Sequence, residues 1–414
     1  MRERGRVKCR GCGSTRLKTF LDLGLSPIAN NLLSKEDLSK DEAFLPLHVL
    51  TCEYCSLVQL PEISSRETLF PDNYTYYSSF SESWLAHCRS FAREMIEKMS
   101  LTADDLVVEI ASNDGYMLQY FRESGIQVLG VEPAAHVAKV ATEERKIPTV
   151  VEFFGEETGR KLAQSGKKPR LMIANNVLAH VPDLHDFVSG FASLIADDGF
   201  ITFEFPHLLN LILLNQFDTI YHEHYSYLGL TALEPIFLKH GLRIFDVEDL
   251  ETHGGSLRVF VCKSQAAWKT EASVQKCLAK ELQHDPRSEG VISQIQLKSV
   301  KVKTDLINEL ARIKESDQKV AAYGAAAKGN TLLNFAGIKS DFIDYVVDRN
   351  PHKQGYFLPG SHIPIVGEDY LKQNVPDVLL LLPWNLAKEI GSQLDYLRKN
   401  GVKFMRAIPS LEYF

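Results

Sequence analysis

Apolar and polar positions along the chain alternate between two periods. LVVEI at 106–110 is a short β-branched run, SNDG is a turn, YMLQYFRES carries apolar residues at helical spacing, and VLGV is a second strand that ends in Glu132. The stretch 104–133 therefore predicts a β-turn-α-β unit. RLMIANN and GFITFEFPH predict two more strands, the second opened by the turn DDG. The theme returns after a helical stretch at 291–315. KVAAYGAAAKGNTLLNFAGI reads as strand, turn and helix, with DYVVDRN and DVLLLLP as further strands, so a second nucleotide-type fold is expected. Near the start, FLDLGLSPIANNLLSKEDL and FLPLHVLTC read as strands and a loop.

Composition narrows the partners. A chain of 414 residues with 45% hydrophobic and 10% aromatic residues has material for several cores. A net charge of -7 gives no basic footprint, which argues against nucleic acid and for a small substrate. The opening MRERGRVKCRGCG lacks an apolar signal region, and the greasiest run, LLNLILL at 208–214, is far below spanning length. A cytoplasmic protein with no membrane partner is expected; the oligomeric state is unknown, and a monomer is compatible with the sequence.

Seven cysteines fit that compartment. Four form two C-x-x-C units, Cys9 with Cys12 and Cys52 with Cys55, and such knuckles supply four thiolates to one tetrahedral Zn²⁺. The expected role is structural, since no ligand position is left open. Cys88, Cys262 and Cys277 are read as reduced and structural.

A β-turn-α-β unit holds a nucleotide at the carboxyl ends of its strands, with an acid after the second strand on the ribose hydroxyls. Glu132, followed by Pro133, is that acid. The turn around Asn113 has one glycine, Gly115, instead of the three that pyrophosphate favours, so the expected cofactor is S-adenosylmethionine. Glu109 and Asp114 would form an acidic rim for its positive groups. Asn175 and Asn176 end the next strand at the same sheet edge, with His180 just beyond. In the later unit, GAAAKGNT resembles a P-loop, but Asn330 stands where the phosphate-gripping lysine belongs and Lys328 comes two residues early. ATPase chemistry is not expected. The turn, with Lys328 and Asn330, still suits a diphosphate, and Asp348 after the next strand suits a sugar or ribose hydroxyl. THGGS at 252–256 would bring backbone N–H groups and His253 to a sugar, or serve only as a glycine hairpin turn.

One stretch, YHEHYSYLG at 221–229, looks like a metalloprotease signature with the wrong spacing. Zinc proteases need histidines four apart on one helix face, whereas His222 and His224 are two apart. In an extended segment both rings would share one face with Glu223 opposite.

The stretches CRGCG, TCEYCSLVQL, NYTYYSSFSESW, VVEIASNDGYML, NNVLAHVPDL, YHEHYSYLG, THGGSLRVF and YGAAAKGNTLLNF together resemble the sugar C-methyltransferases of deoxysugar biosynthesis, over nearly the whole chain. The resemblance implies methylation of a carbon next to a ketone on a nucleotide-linked sugar, usually C3 of a TDP-4-keto-6-deoxyhexose. It implies His224 as the base, Tyr221 and Glu223 as orienting groups, and His180 and Tyr76 as donors to the enolate oxygen. His222 is expected to face away from His224 as a structural histidine. The organisation expected is α/β: a zinc-binding domain over 1–66, a methyltransferase Rossmann-like domain that binds S-adenosylmethionine over 67–265, and a second Rossmann-like domain for the nucleotide sugar over 266–414. The competing readings are an O- or N-methyltransferase of a small metabolite and a zinc-knuckle binding protein without catalysis.

Overall fold

A computed structural model describes residues 7–62 and 77–414, which divide into two compact units. The first is built from segments 1–17, 52–207 and 225–285. Its centre is a seven-stranded sheet of β1 (Leu106–Ile110), β2 (Gln127–Val131), β3 (Thr149–Val150), β4 (Leu171–Asn175), β5 (Phe200–Pro206), β6 (Leu242–Leu250) and β7 (Ser256–Lys263). The spatial order is β6-β7-β5-β4-β1-β2-β3. The strands from β5 to β3 run parallel, and β7 is antiparallel to both β5 and β6.

Strand alternation sorts the sheet's side chains between two apolar layers. Val108, Ile110, Met172, Ala174, Ile201 and Phe203 enter one core, and Val107, Leu171, Ile173, Phe200 and Phe260 the other. The second layer is covered by the helix Glu82–Met99, which sends Cys88, Phe91, Ala92, Met95 and Met99 inward at spacings of three and four. Ser81 caps that helix by accepting the Trp84 N–H at 3.3 Å. Glu109, Asn175 and Glu204 fall on this same face of their strands by the alternation, and all three are buried.

The second unit is built from segments 18–51, 208–224 and 286–414. Its sheet has β8 (Val320–Tyr323), β9 (Val346–Val347), β10 (Ile365–Val366), β11 (Val378–Leu381), β12 (Lys403–Arg406) and β13 (Glu412–Tyr413), ordered β10-β9-β8-β11-β12-β13. All neighbours are parallel except β12 and β13. The helix Glu289–Glu315 buries Ile295, Val302, Leu306, Leu310 and Ile313. The greasy run at 208–214 is the helix Leu208–Leu213. No helix among the described residues is long and apolar enough to cross a membrane.

Candidate active site

The two cysteine knuckles of the first unit share one local geometry. In each, the N–H four residues after the first cysteine donates to that cysteine's carbonyl: Gly13 to Cys9 at 2.8 Å and Ser56 to Cys52 at 3.0 Å. Gly13 and Ser56 both take positive φ, 76° and 65°. The four sulfurs lie within 4.8 Å of one another, with Cys9 and Cys55 at 3.4 Å and Cys12 and Cys52 at 3.6 Å. Thiolates about 2.3 Å from a tetrahedral zinc stand roughly 3.8 Å apart, so the residues fit the metal. The Gln59 side chain braces the first knuckle, accepting the Arg10 N–H at 2.9 Å and donating to the Lys8 carbonyl at 3.1 Å.

At the carboxyl ends of β1 and β4 the backbone is unusually bent. Ala111, Asn113 and Gly115 after β1, and Asn176 after β4, all have positive φ. At Gly115 a Cβ would also stand 2.6 Å from Ile147 Cδ1, so both conformation and space call for glycine. Glu132, with half-buried Pro133 after it, accepts the Asn113 N–H at 3.0 Å and the Ala134 N–H at 2.9 Å. Burial raises its pKa against the pull of those two donors. A carboxylate has about four acceptor positions, so capacity for ribose hydroxyls remains.

The acidic rim is corrected. Glu109 is fully buried on the face that the helix Glu82–Met99 covers, and neither carboxylate oxygen meets a donor at full hydrogen-bond geometry. Burial raises its pKa well above the carboxylate range, against a smaller downward pull from Tyr116. Asp114 already holds Arg145 at 3.2 Å and the Ser79 hydroxyl through Oδ2, which leaves Oδ1 without a partner among the described residues. The Ser112 hydroxyl and both amide atoms of Asn175 are likewise buried and unpartnered among the described residues. An orphaned buried polar atom costs about 1–3 kcal/mol, and these lie on or just beyond the ends of β1 and β4. An ammonium and hydroxyl-bearing cofactor would complete them, so the residues fit S-adenosylmethionine. Asn176 donates its N–H to the Glu204 carbonyl at 2.7 Å and its amide nitrogen to His253 Nε2 at 3.2 Å. His180 is half-buried in the short helical turn Leu178–His180, and Tyr76 lies outside the described residues.

In the second unit YHEH is not extended, which corrects the alternation argument. The His224 N–H donates to the Tyr221 carbonyl at 2.9 Å, closing a turn that brings residues three apart together. The Tyr221 hydroxyl thereby reaches His224 Nε2 at 2.8 Å, while Nδ1 lies 2.8 Å from the Thr219 carbonyl. A carbonyl only accepts, so Nδ1 carries the proton and the Nε2 lone pair accepts the Tyr221 hydroxyl. Glu223 accepts from the Asn30 amide at 3.0 Å, and burial raises its pKa. Burial lowers the pKa of His222, whose surroundings are Leu45, Pro46 and Pro27 rather than His224.

The P-loop-like turn is equally specific. Asp348 accepts the Ala325 N–H and the Asn350 N–H, each at 2.8 Å, so its carboxylate shapes the turn. The Lys328 ammonium stands 5.0 Å from the centre of the Trp384 ring, and burial, opposed by Asp218, lowers its pKa. Asn330 is fully buried, with both amide atoms unpartnered among the described residues.

Sequence reasoning missed Asp218, which receives the Trp384 indole N–H at 2.7 Å and is pushed up to about 6 by burial, against Lys328. It also missed Glu204, although a charge inside the run FITFEFP was a visible signal.

Residues 9–70 match a family described as a zinc-binding domain, residues 84–247 one described as a methyltransferase domain, and residues 251–409 one described as the C-methyltransferase C-terminal domain. The chain is 37% identical to C-methyltransferase NovU of Streptomyces niveus over 407 residues, 97% of this chain and 95% of that protein. Among solved structures it is similar to the magnesium protoporphyrin IX methyltransferase ChlM of Synechocystis PCC 6803 with bound SAM: 16% identity, 50% of this chain, 100% of that chain, TM-score 0.35. The PH0226 protein of Pyrococcus horikoshii OT3 aligns at 14% identity over 47% of this chain and 98% of its own, TM-score 0.37.

Proposed function

The chain belongs to the C-methyltransferase family, and on that premise we propose that it methylates the carbon alpha to the ketone, C3, of a TDP-linked 4-keto-6-deoxysugar through an enolate. It is an S-adenosylmethionine-dependent methyltransferase with a zinc-binding domain. When bound, the cofactor supplies an electrophilic methyl group.

The observation that carries the reading is the held imidazole of His224, protonated at Nδ1 by the Thr219 carbonyl's demand and basic at Nε2. A ketone acidifies the neighbouring C–H. Once the Tyr221 hydroxyl turns from it, His224 Nε2 takes that proton, and the C–H electron pair moves into an enolate whose negative charge rests on the former ketone oxygen. A positioned base of this kind contributes about 10² to 10⁴ in rate. Tyr221 sets the ring's direction, and Glu223 fixes the turn. His180 and Tyr76 donate to the enolate oxygen, where charge develops. Lys328, Asn330 and Asp348 hold the nucleotide diphosphate, and His253 meets the sugar. Asn113, Asp114, Gly115, Glu132, Pro133, Asn175 and Asn176 surround the cofactor. In this reading the chain divides at 66 and 265 into zinc, methyltransferase and nucleotide-sugar domains. It works in the cytoplasm, where its cysteines form no disulfide.

The test is transfer of labelled methyl from S-adenosylmethionine to a panel of nucleotide-4-ketosugars, with the product mapped by NMR. Label on a carbon beside the former ketone is expected. Label only on oxygen or nitrogen, or on no ketosugar, would overturn the reading.

A further inference from the structure

We infer that Glu204 is a positioning residue for methyl transfer: it locks two strained turns together at the carboxyl end of the methyltransferase sheet. Its backbone carbonyl accepts the Asn176 N–H at 2.7 Å, and its carboxylate accepts the Thr252 hydroxyl at 2.9 Å. Asn176 and His253, on the two turns so held, are both non-glycine residues with φ of 54°, and they bond each other at 3.2 Å. A left-handed non-glycine residue costs on the order of 1 kcal/mol or more and persists only where its surroundings over-determine it. After His253, Gly254 and Gly255 also have positive φ, 89° and 117°, so the whole turn depends on outside anchors.

Glu204 is an expensive anchor. It is fully buried, and its Oε2 is balanced by Arg258 at 3.0 Å and His87 at 2.9 Å, while Arg258 also holds Glu248 at 2.6 Å. A buried ionic cluster of this kind stabilises little against a well-packed apolar alternative, so its value lies in fixing geometry. The same cluster supports the wall beside the turn. His87 stacks on Trp84 with centroids 5.1 Å apart, and Trp84 meets the His253 ring at 5.2 Å. The carboxylate thus fixes the Thr252–Gly255 turn on one side and the aromatic ledge on the other. With the turn locked, His253 and Asn176 stay in register. The inference rests on the reading of this turn as the acceptor side of the reaction.

The test uses the full-length, zinc-loaded protein with S-adenosylmethionine and TDP-4-keto-6-deoxyglucose. Thr252→Val removes the tether and keeps the shape; Thr252→Ala serves if the valine variant does not fold. The expected result is a tenfold or larger fall in kcat, with affinity for S-adenosylhomocysteine within twofold of wild type. Amide exchange over 250–257 should quicken while exchange over β1 stays unchanged, and Thr252→Ser should restore both rate and protection. Unchanged kcat with quickened exchange, or cofactor affinity falling in step with kcat, overturns the inference. If wild type methylates no ketosugar the proposed substrate fails by itself, and the exchange comparison decides the anchor: unchanged protection in Thr252→Val overturns it.

Discussion

The Tyr221 hydroxyl lies 2.8 Å from Nε2 of His224, the nitrogen that carries the lone pair because the Thr219 carbonyl, also at 2.8 Å, holds the proton on Nδ1. The two rings also meet at 4.0 Å between centroids, tilted by 32°. Tyr221→Phe keeps that contact and removes only the hydroxyl. A lost hydrogen bond to a buried group is worth about 1–3 kcal/mol, so kcat/KM should fall roughly 10- to 100-fold. Steady-state kinetics with an unchanged melting temperature checks this.

The four sulfurs of Cys9, Cys12, Cys52 and Cys55 predict one zinc per chain by elemental analysis. Structural zinc contributes folding energy, so Cys12→Ser should lower the melting temperature markedly before it lowers turnover per folded molecule. Protein purified without chelators and found free of zinc would remove the site.

Asp218 gives a pH signature. Burial pushes its folded pKa up to about 6 from an ordinary 3.8. The folded chain therefore keeps this proton longer than the unfolded chain does. Its contribution to stability is fully present below the unfolded pKa and is lost as pH rises through 6, by at most about 3 kcal/mol. Asp218→Asn can still accept the Trp384 indole N–H and has no such proton. Urea titrations from pH 4 to 7 should show wild type losing stability relative to the variant over that window. A constant difference would contradict the assignment.

Lys328 stands beside both Trp384 and Asp218, which gives it two candidate duties. If it grips the diphosphate, free TDP competes with the sugar substrate and Lys328→Ala raises KM at least tenfold with kcat little changed. If KM is unmoved, the lysine serves to balance Asp218.

Much of this was legible because local pattern dictates it. LVVEI, SNDG and VLGV announce two strands and a tight turn through period and turn chemistry alone, and the sheet has them in place. The two C-x-x-C units were readable for the same reason, each being complete within four residues. Two of the misses depended on contacts between distant positions, and one on a local turn. The acidic rim failed because Glu109 alternates onto the face covered by a helix beginning 27 positions earlier, at Glu82. The alternation argument for YHEH failed because the segment closes as a turn, and two-residue spacing carries no cue to that. Glu204 stood out as a charge among phenylalanines, but its partners His87 and Thr252 lie 117 and 48 residues away.

The central claim is that His224 removes the proton alpha to the ketone. Its most direct measurement is solvent deuterium exchange at that carbon of TDP-4-keto-6-deoxyglucose, with S-adenosylhomocysteine in place of the methyl donor so that no transfer can follow. Wild type is predicted to exchange the hydrogen, and His224→Ala to exchange it at least 10²-fold more slowly with cofactor affinity unchanged. Exchange or methylation by the variant at near wild-type rate would contradict the account and move the base to His180 or Tyr76.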